Sequence, residues 1–350
     1  MGYVTGSDTI VRFALAVGAA IAVLAFVMLA FILIMRIVFA LRDRRREMFI
    51  AKWRPVFALS LIQPLGPVDR VSDSEMPYLM NLFNNFHGIV HGEERENLNR
   101  LARAVGMYEA AIRILVVGTF SQKILAITAF GYLEEEESFE RLARYAEDES
   151  TLLSLASAMA MVHINPQEAV RRLIPLIVSR NDWAAANVYP ILHEAGTAAV
   201  SKNLPNAVMQ ATENDALRLI PFLALADVQA VEEAVRWWLG KTKKDEMVSS
   251  CLKMLSSPAN APVARYYLEH PAWHVRAQAA ILLGKIGGRE DVGTLTARLS
   301  DKEWWVRFRA AQALAELPFL DINGLKDIMA SQTDRFARNI MEQVIAEKGA

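Results

Sequence analysis

His87 and His91 stand four residues apart, with Glu93 and Glu94 just beyond. On one helix that spacing would aim both imidazoles at a single metal ion. Gly88 and Gly92 interrupt the pattern, and no Glu sits beside the first His, as a zinc-protease helix requires. These histidines are expected to be structural or on the surface. His270 and His274 repeat the spacing around Pro271 and read as residues of a helix start. Gly284-Lys285-Ile286-Gly287-Gly288 has the residue types of a phosphate loop without its order, and no strand leads into it. It reads as a turn between paired helices. Cys251 is the one cysteine, so neither an intramolecular disulfide nor a Cys-based metal site can form. In its apolar stretch it is expected to behave as a small buried hydrophobe. No nucleophile elbow, paired-carboxylate motif or dinucleotide fingerprint is present. The expectation is a non-enzyme with no cofactor and no metal.

Residues suited to contact rather than chemistry are easier to find. Glu134, Glu135, Glu136 and Glu137 form an acidic run, either a solvated loop or a docking site for a basic partner. Two tryptophan pairs, Trp237-Trp238 and Trp304-Trp305, have the side chain most enriched at binding hot spots. Neighbours on a helix point about 100° apart, so one of each pair is expected in the core. Trp238 and Trp305 are the expected partner contacts. The formal net charge of −1 over 350 residues argues against nucleic acid, which selects a basic excess or stripe.

The elements that would carry these residues begin with a membrane segment. Residues 13–35 contain no charged side chain. As a helix they span about 34 Å, enough for a hydrocarbon core of about 30 Å. A cleaved signal peptide fits less well, because the apolar run is long and no small-residue cleavage site follows. Arg42, Arg44, Arg45 and Arg46 come next, then Lys52 and Arg54. The positive-inside rule places that cluster in the cytoplasm, so the expected topology is a single pass of the inner (plasma) membrane with the C-terminal domain cytoplasmic. The same arginines have a second, compatible reading as a contact for anionic lipid headgroups. Ala14, Gly18 and Ala22 recur every four residues. Such spacing either reflects the ordinary abundance of small residues in spans or marks a packing face for another membrane helix.

Farther along, the chain repeats itself. WHVRAQAAILLG at 273–284 and WWVRFRAAQALA at 304–315 align at a shift of about 31 residues, the mark of stacked supersecondary units. Trp273 falls on Trp304, Val275 on Val306, Arg276 on Arg307 and Ala279 on Ala310. Val275, Ala279, Leu282 and Ile286 lie on one helical face, Pro271 suits a first helical turn, and Ser300 with Glu303 has capping-box spacing. The paired arginines are expected to form a ladder between neighbouring loops, and Trp273 and Trp304 to mark the packing register. Trp183 lies about three periods before Trp273. From residue 121, helical stretches alternate with breaks near 134–138, 147–150, 165–166, 180–182, 196–197, 213–215, 241–245, 256–262, 287–291, 299–301 and 331–334. These breaks delimit roughly seven two-helix units.

The two VR-x-x-AA segments, 275–280 and 306–311, resemble the HEAT-repeat family, specifically its short bacterial HEAT-like repeats. The resemblance covers 270–317 and extends over about 120–350; it implies an α-solenoid that binds proteins and implies no activity. The order of a single span, then Leu101-Ala102-Arg103-Ala104-Val105-Gly106, then HEAT-like units is similar to bacterial membrane-anchored HEAT proteins. That resemblance implies association with polysaccharide-building membrane glycosyltransferases.

The expected architecture is all-α. A short external tail (1–8) and a transmembrane helix (9–41) precede a juxtamembrane helical segment that caps the solenoid (42–118). A solenoid of HEAT-like helix pairs then fills 119–350. The expected function is a membrane-tethered scaffold or adaptor for a protein partner, itself an integral membrane protein, at the cytoplasmic face, as an accessory subunit of a glycosyltransferase making exopolysaccharide. Membrane lipid is a second expected partner and nucleic acid is not one. The alternatives are a HEAT-like enzyme of lyase or DNA-glycosylase type, or a membrane-bound regulator.

Overall fold

The computed structural model describes residues 5–62, 68 and 70–349, and among them it contains helices and no strand. The chain divides into two compact units, Met1–Leu133 and Glu134–Ala350.

The first unit is organised by one long helix, α1 (Thr5–Ile62). Its large apolar side chains from Phe13 to Leu41 are exposed on every side. In length and composition this helix could cross a membrane. The same helix then enters the core of the unit. Phe49, Trp53 and Phe57, spaced by four, are only 7, 5 and 0% exposed. They bury one stripe of α1 against α2 (Met76–His87) and α3 (Glu93–Ala104). Phe49 meets Tyr78 at 6.1 Å and Phe57 meets Phe86 at 5.6 Å between ring centres. The boundary expected at 41/42 therefore falls inside a continuous helix, and residues 5–8, expected in a tail, are already helical. Gly18 has open space around its α-carbon. The side chains of Ala14 and Ala22 lie outside the described residues, so their expected packing face does too.

Two more helices, α4 (Met107–Val117) and α5 (Phe120–Leu133), complete this unit. The sequence reading put α5 at the head of the solenoid. It packs instead against α2 and α4, burying Ile127 and Phe130. Side chains of α2 and α3 reach its backbone: Asn84 Nδ2 donates to Leu125 O at 3.1 Å and Asn99 Nδ2 to Tyr132 O at 2.8 Å.

The second unit runs through α6 (Phe139–Ala146), α7 (Thr151–Ile164), α8 (Pro166–Ser179), α9 (Ala185–Gln210) and α10 (Glu213–Leu219). It continues with α11 (Val228–Lys241), α12 (Asp245–Met254), α13 (Ala261–Tyr267), α14 (Trp273–Ile286) and α15 (Asp291–Arg298). It ends with α16 (Trp304–Glu316), α17 (Ile322–Ser331) and α18 (Arg335–Gly349). Helix α9 bends at Gly196, whose φ of 80° only glycine adopts without strain, at one of the expected breaks. The expected break at 213–215 sits slightly earlier, because the Thr212 hydroxyl caps α10 by accepting from Asp215 N–H at 3.3 Å.

In the C-terminal half the order of contacts is regular. Helices α12, α14, α16 and α18 stack side by side, while α13, α15 and α17 cover α14, α16 and α18 in turn. The apolar faces of the two repeats meet in this stack: Val275, Ala279, Val306 and Ala310 are all 0% exposed. Helices α14 and α16 approach each other closely at Gly284. A Cβ there would lie 2.7 Å from Ala313 Cα and 2.9 Å from Ala313 Cβ. Gly284 was read as part of a turn; it is inside α14, and only Gly287 and Gly288 turn the chain.

Several local expectations change. Pro271 precedes α14, whose N-cap is Ala272, so it is not in a first helical turn. The box of Ser300 and Glu303 does not form. Asp301 Oδ1 takes the Glu303 N–H at 3.0 Å, and Glu303 is the N-cap. Trp183 and Trp273 are not equivalent: Trp183 is buried ahead of α9, donating to Ser154 Oγ at 2.9 Å, whereas Trp273 opens α14 on the surface.

Candidate binding surface

The paired arginines do tie loops together. Arg276 forms a bidentate ion pair with Asp301, Nε to Oδ2 at 2.8 Å and Nη2 to Oδ1 at 2.7 Å. Its Nη1 donates to the carbonyls of His270 and Pro271, each at 2.8 Å. One buried guanidinium thus bonds the loop before its own helix to the loop before the next. Burial works to raise the Asp301 carboxyl, and the Arg276 guanidinium with the Glu303 N–H outweighs it, holding the acid below its ordinary range. Arg307 repeats half of this pattern, donating to Asp301 O at 2.9 Å.

With Arg276 buried and Arg307 half-buried, the helix starts of α14, α16 and α18 present aromatic rings outward. Trp273 and Trp304, in matching register, are 42 and 43% exposed. They are expected to mark the packing register of the stack; they hold matching positions but face solvent beside it. Trp305 is 49% and Phe336 63% exposed. Trp304 stacks on Phe308 at 5.1 Å with an 8° tilt, and Trp305 meets the same ring edge-on at 6.4 Å. Arg309 lies 5.8 Å over Phe308, and Arg307 lies 5.7 Å over Phe336. Rigid rings held by one another and ringed by guanidinium groups form the type of surface that anchors a protein partner.

The other tryptophan pair corrects the sequence reading. Trp238 is in the core at 3% exposed, its indole N–H given to Val208 O at 2.9 Å. Trp237 is the surface member, with Lys241 Nζ 4.2 Å from its ring centre. Adjacency in the sequence alone leaves the choice open, because the azimuth of α11 is set by α9 and α12. Phe308 and Phe336 were missed altogether. The signal for Phe308 was its position four residues after Trp304, on the same helical face.

The chemical candidates resolve structurally. His87 ends α2 at 1% exposure and stacks on Tyr132 at 4.1 Å, while His91 lies in the following loop, so the two share no helix face. His270 Nδ1 accepts the Ala272 N–H at 3.2 Å, ahead of α14. Cys251 is fully buried, and burial pushes its thiol up to about 12. In the acidic run, Glu134, Glu136 and Glu137 are exposed and Glu135 is half-buried, in the connection that follows α5. Arg42, Arg44, Arg45 and Arg46 are all exposed on α1. Among the described residues no group of three or more His, Cys, Asp or Glu is placed to hold a metal ion.

The fold and its ladder define a helical-repeat protein. The family model for "HEAT repeats" matches residues 217–315 and 261–346, so HEAT-like repeats occupy that part of the array. The match reaches upstream of the VR-x-x-AA segments into α10 and α11. Phycocyanobilin lyase subunit alpha of Nostoc sp. (strain PCC 7120 / SAG 25.82 / UTEX 2576) is 33% identical over 106 residues, covering 29% of this chain and 36% of that protein. The chain thus matches little more than a third of that relative's length. The crystal structure of an engineered protein aligns over 80% of this chain and 92% of its own, with 13% identity and a TM-score of 0.32. That likeness is too loose to bear on the arrangement of helices.

Proposed function

We propose that this protein is a non-catalytic, membrane-tethered scaffold whose HEAT array docks a protein partner at the cytoplasmic face of the inner membrane. The observation that carries this reading is α1. Its apolar surface is exposed all round through 41, and without a break the same helix becomes a core element of the first unit. In water such a surface would be costly; in a bilayer it is the expected exterior of a span. The basic residues from Arg42 to Arg54 follow the apolar turns and set the topology inward. The aromatic face of α14, α16 and α18 supplies the docking surface. The proposed partner is itself an integral membrane protein, a membrane glycosyltransferase building an exopolysaccharide, with anionic lipid contacting the basic run.

The test is purification of the full-length tagged protein in mild detergent, beside a Trp304→Ala/Trp305→Ala variant. Recovery of one stoichiometric integral membrane protein with the wild type, and its loss with the variant, supports the scaffold. Recovery without a membrane partner sinks it. A C-terminal tag digested by protease in intact spheroplasts would overturn the topology.

A lyase-type activity on this frame is the second reading, favoured by the partial likeness to the phycocyanobilin lyase subunit. A shift of phycocyanobilin absorbance on mixing with the purified protein would favour it over the scaffold.

A further inference from the structure

The basic run after the span is not uniform. Arg42, Arg45, Phe49, Lys52 and Trp53 fall on one side of α1 and line a cleft of about 790 Å³, closed by Arg70 and Tyr78 from beyond the helix. Arg44 falls about 200° around the helix from Arg42, and neither it nor Arg46 lines the cleft. Arg42, Arg45, Lys52 and Arg70 are all exposed, and none has an ion-pair partner among the described residues. Among the described residues the one acid that lines the cleft is Glu75, which takes a hydrogen bond from Ser72 Oγ at 2.8 Å. Among the described residues four cations thus face one space with one carboxylate, which gives a positive field at a defined place.

We propose that this cleft binds the phosphate of an anionic phospholipid in the leaflet from which α1 emerges, a site that rests on reading α1 as a membrane span. Its position favours a lipid over free phosphate. Arg42 directly follows the last exposed apolar turn, where Leu41 is 55% exposed. Arg42 and Arg45 are separated by about 5 Å along the helix, comparable with a headgroup zone of about 5–8 Å per leaflet. Lys52 lies about 15 Å beyond Arg42 and closes the cleft from the aqueous side with Arg70. The back wall is aromatic: Phe49 stacks on Trp53 at 5.9 Å and meets Tyr78 at 6.1 Å. The apolar rim on the membrane side is the end of the span itself, where Ile37 and Phe39 are 60 and 57% exposed. A phospholipid engages both the cations and this apolar rim, whereas inorganic phosphate engages only the cations.

Native mass spectrometry of the full-length protein, released from membranes containing phosphatidylglycerol and phosphatidylcholine, tests the site. Arg45→Gln/Arg70→Gln removes two charges from the cleft, and Arg44→Gln/Arg46→Gln removes two outside it. Wild type and the outer pair are expected to retain phosphatidylglycerol over phosphatidylcholine, while the cleft pair loses that retention about tenfold or more. Equal losses in both pairs, or no loss in the cleft pair, overturn the site, since attraction is then spread over the basic run. Displacement of the lipid by excess inorganic phosphate also overturns it, by making it a free-phosphate site. Should the cleft pair fail to fold, Arg70→Gln alone is expected to show the loss. Alkaline extraction separates the two layers of the argument. Protein that washes free of membranes removes the spanning reading and the site with it; integral protein with unselective lipid retention removes the site alone.

Discussion

Arg276 and Asp301 grip each other through two hydrogen bonds, with side chains only 6 and 5% exposed, and connect the starts of successive repeats. A buried pair is sensitive to loss of one partner, because the other charge stays behind in a poorly solvated place. Arg276→Ala is therefore expected to cost about 3–5 kcal/mol in chemical denaturation. Arg307→Ala removes a guanidinium that donates to a backbone carbonyl, Asp301 O, and is expected to cost about 1–2 kcal/mol. Equal losses for the two variants would mean that the bidentate pair is not what joins the repeats.

Acid stability follows from a second arginine–aspartate contact. The Arg180 guanidinium, and after it the Thr151 hydroxyl, hold the Asp182 carboxyl down to about 2 from 3.8. A carboxyl depressed in the folded state contributes stability that is complete above its unfolded value and is lost as pH falls through the folded one. The urea midpoint of the wild type is expected to drop between about pH 4 and pH 2, and less steeply in Asp182→Asn. Parallel profiles for the two proteins would count against a special role for this contact.

Gly284 has no room for a side chain, since its missing Cβ would press on the Ala313 backbone. Gly284→Ala is expected to destabilise by about 1–3 kcal/mol through forced separation of α14 and α16. Gly293 in α15 has nothing within 4 Å of its Cβ position. There the same substitution is expected to be neutral or to stabilise by up to about 1 kcal/mol. Thermal melts of the two variants check the contrast, and a neutral Gly284→Ala would refute the close approach.

The tryptophans divide into fold and surface. Trp238→Ala is expected to cost about 3–5 kcal/mol as a buried aromatic truncation. Trp305→Ala is expected to leave the melting transition within about 0.5 kcal/mol of wild type, while weakening recovery of the proposed membrane partner. A large stability loss at Trp305 would move it from the surface into the core account.

Cys251 provides a probe of the α12 packing. With its thiol buried and pushed up to about 12, it is expected to react with a thiol-specific chromogenic reagent at about pH 8 only after denaturant opens the repeat. Prompt reaction in native buffer would show that this part of the array opens readily.

Much of the fold was legible because helices announce themselves locally. The uncharged stretch 13–35 dictates a helix with no polar face, and the spacing of Val275, Ala279, Leu282 and Ile286 dictates one with an apolar stripe. The repeated Val-Arg pair showed that two such helices would stack. The azimuth and the neighbour of each helix were not legible. Trp238 rather than Trp237 is buried because α9 and α12 approach α11 from that side. Gly284 is indispensable because Ala313, on another helix, comes to meet it. Arg42 and Arg45 separate from Arg44, and join Lys52 and Arg70, because the Phe49–Trp53–Phe57 stripe fixes how α1 is turned in its unit. The periodicity of the sequence determined which side chains share a face of their own helix. What that face meets was decided by tertiary structure, because burial depends on contacts between residues far apart in the chain, which spacing within a single helix does not encode.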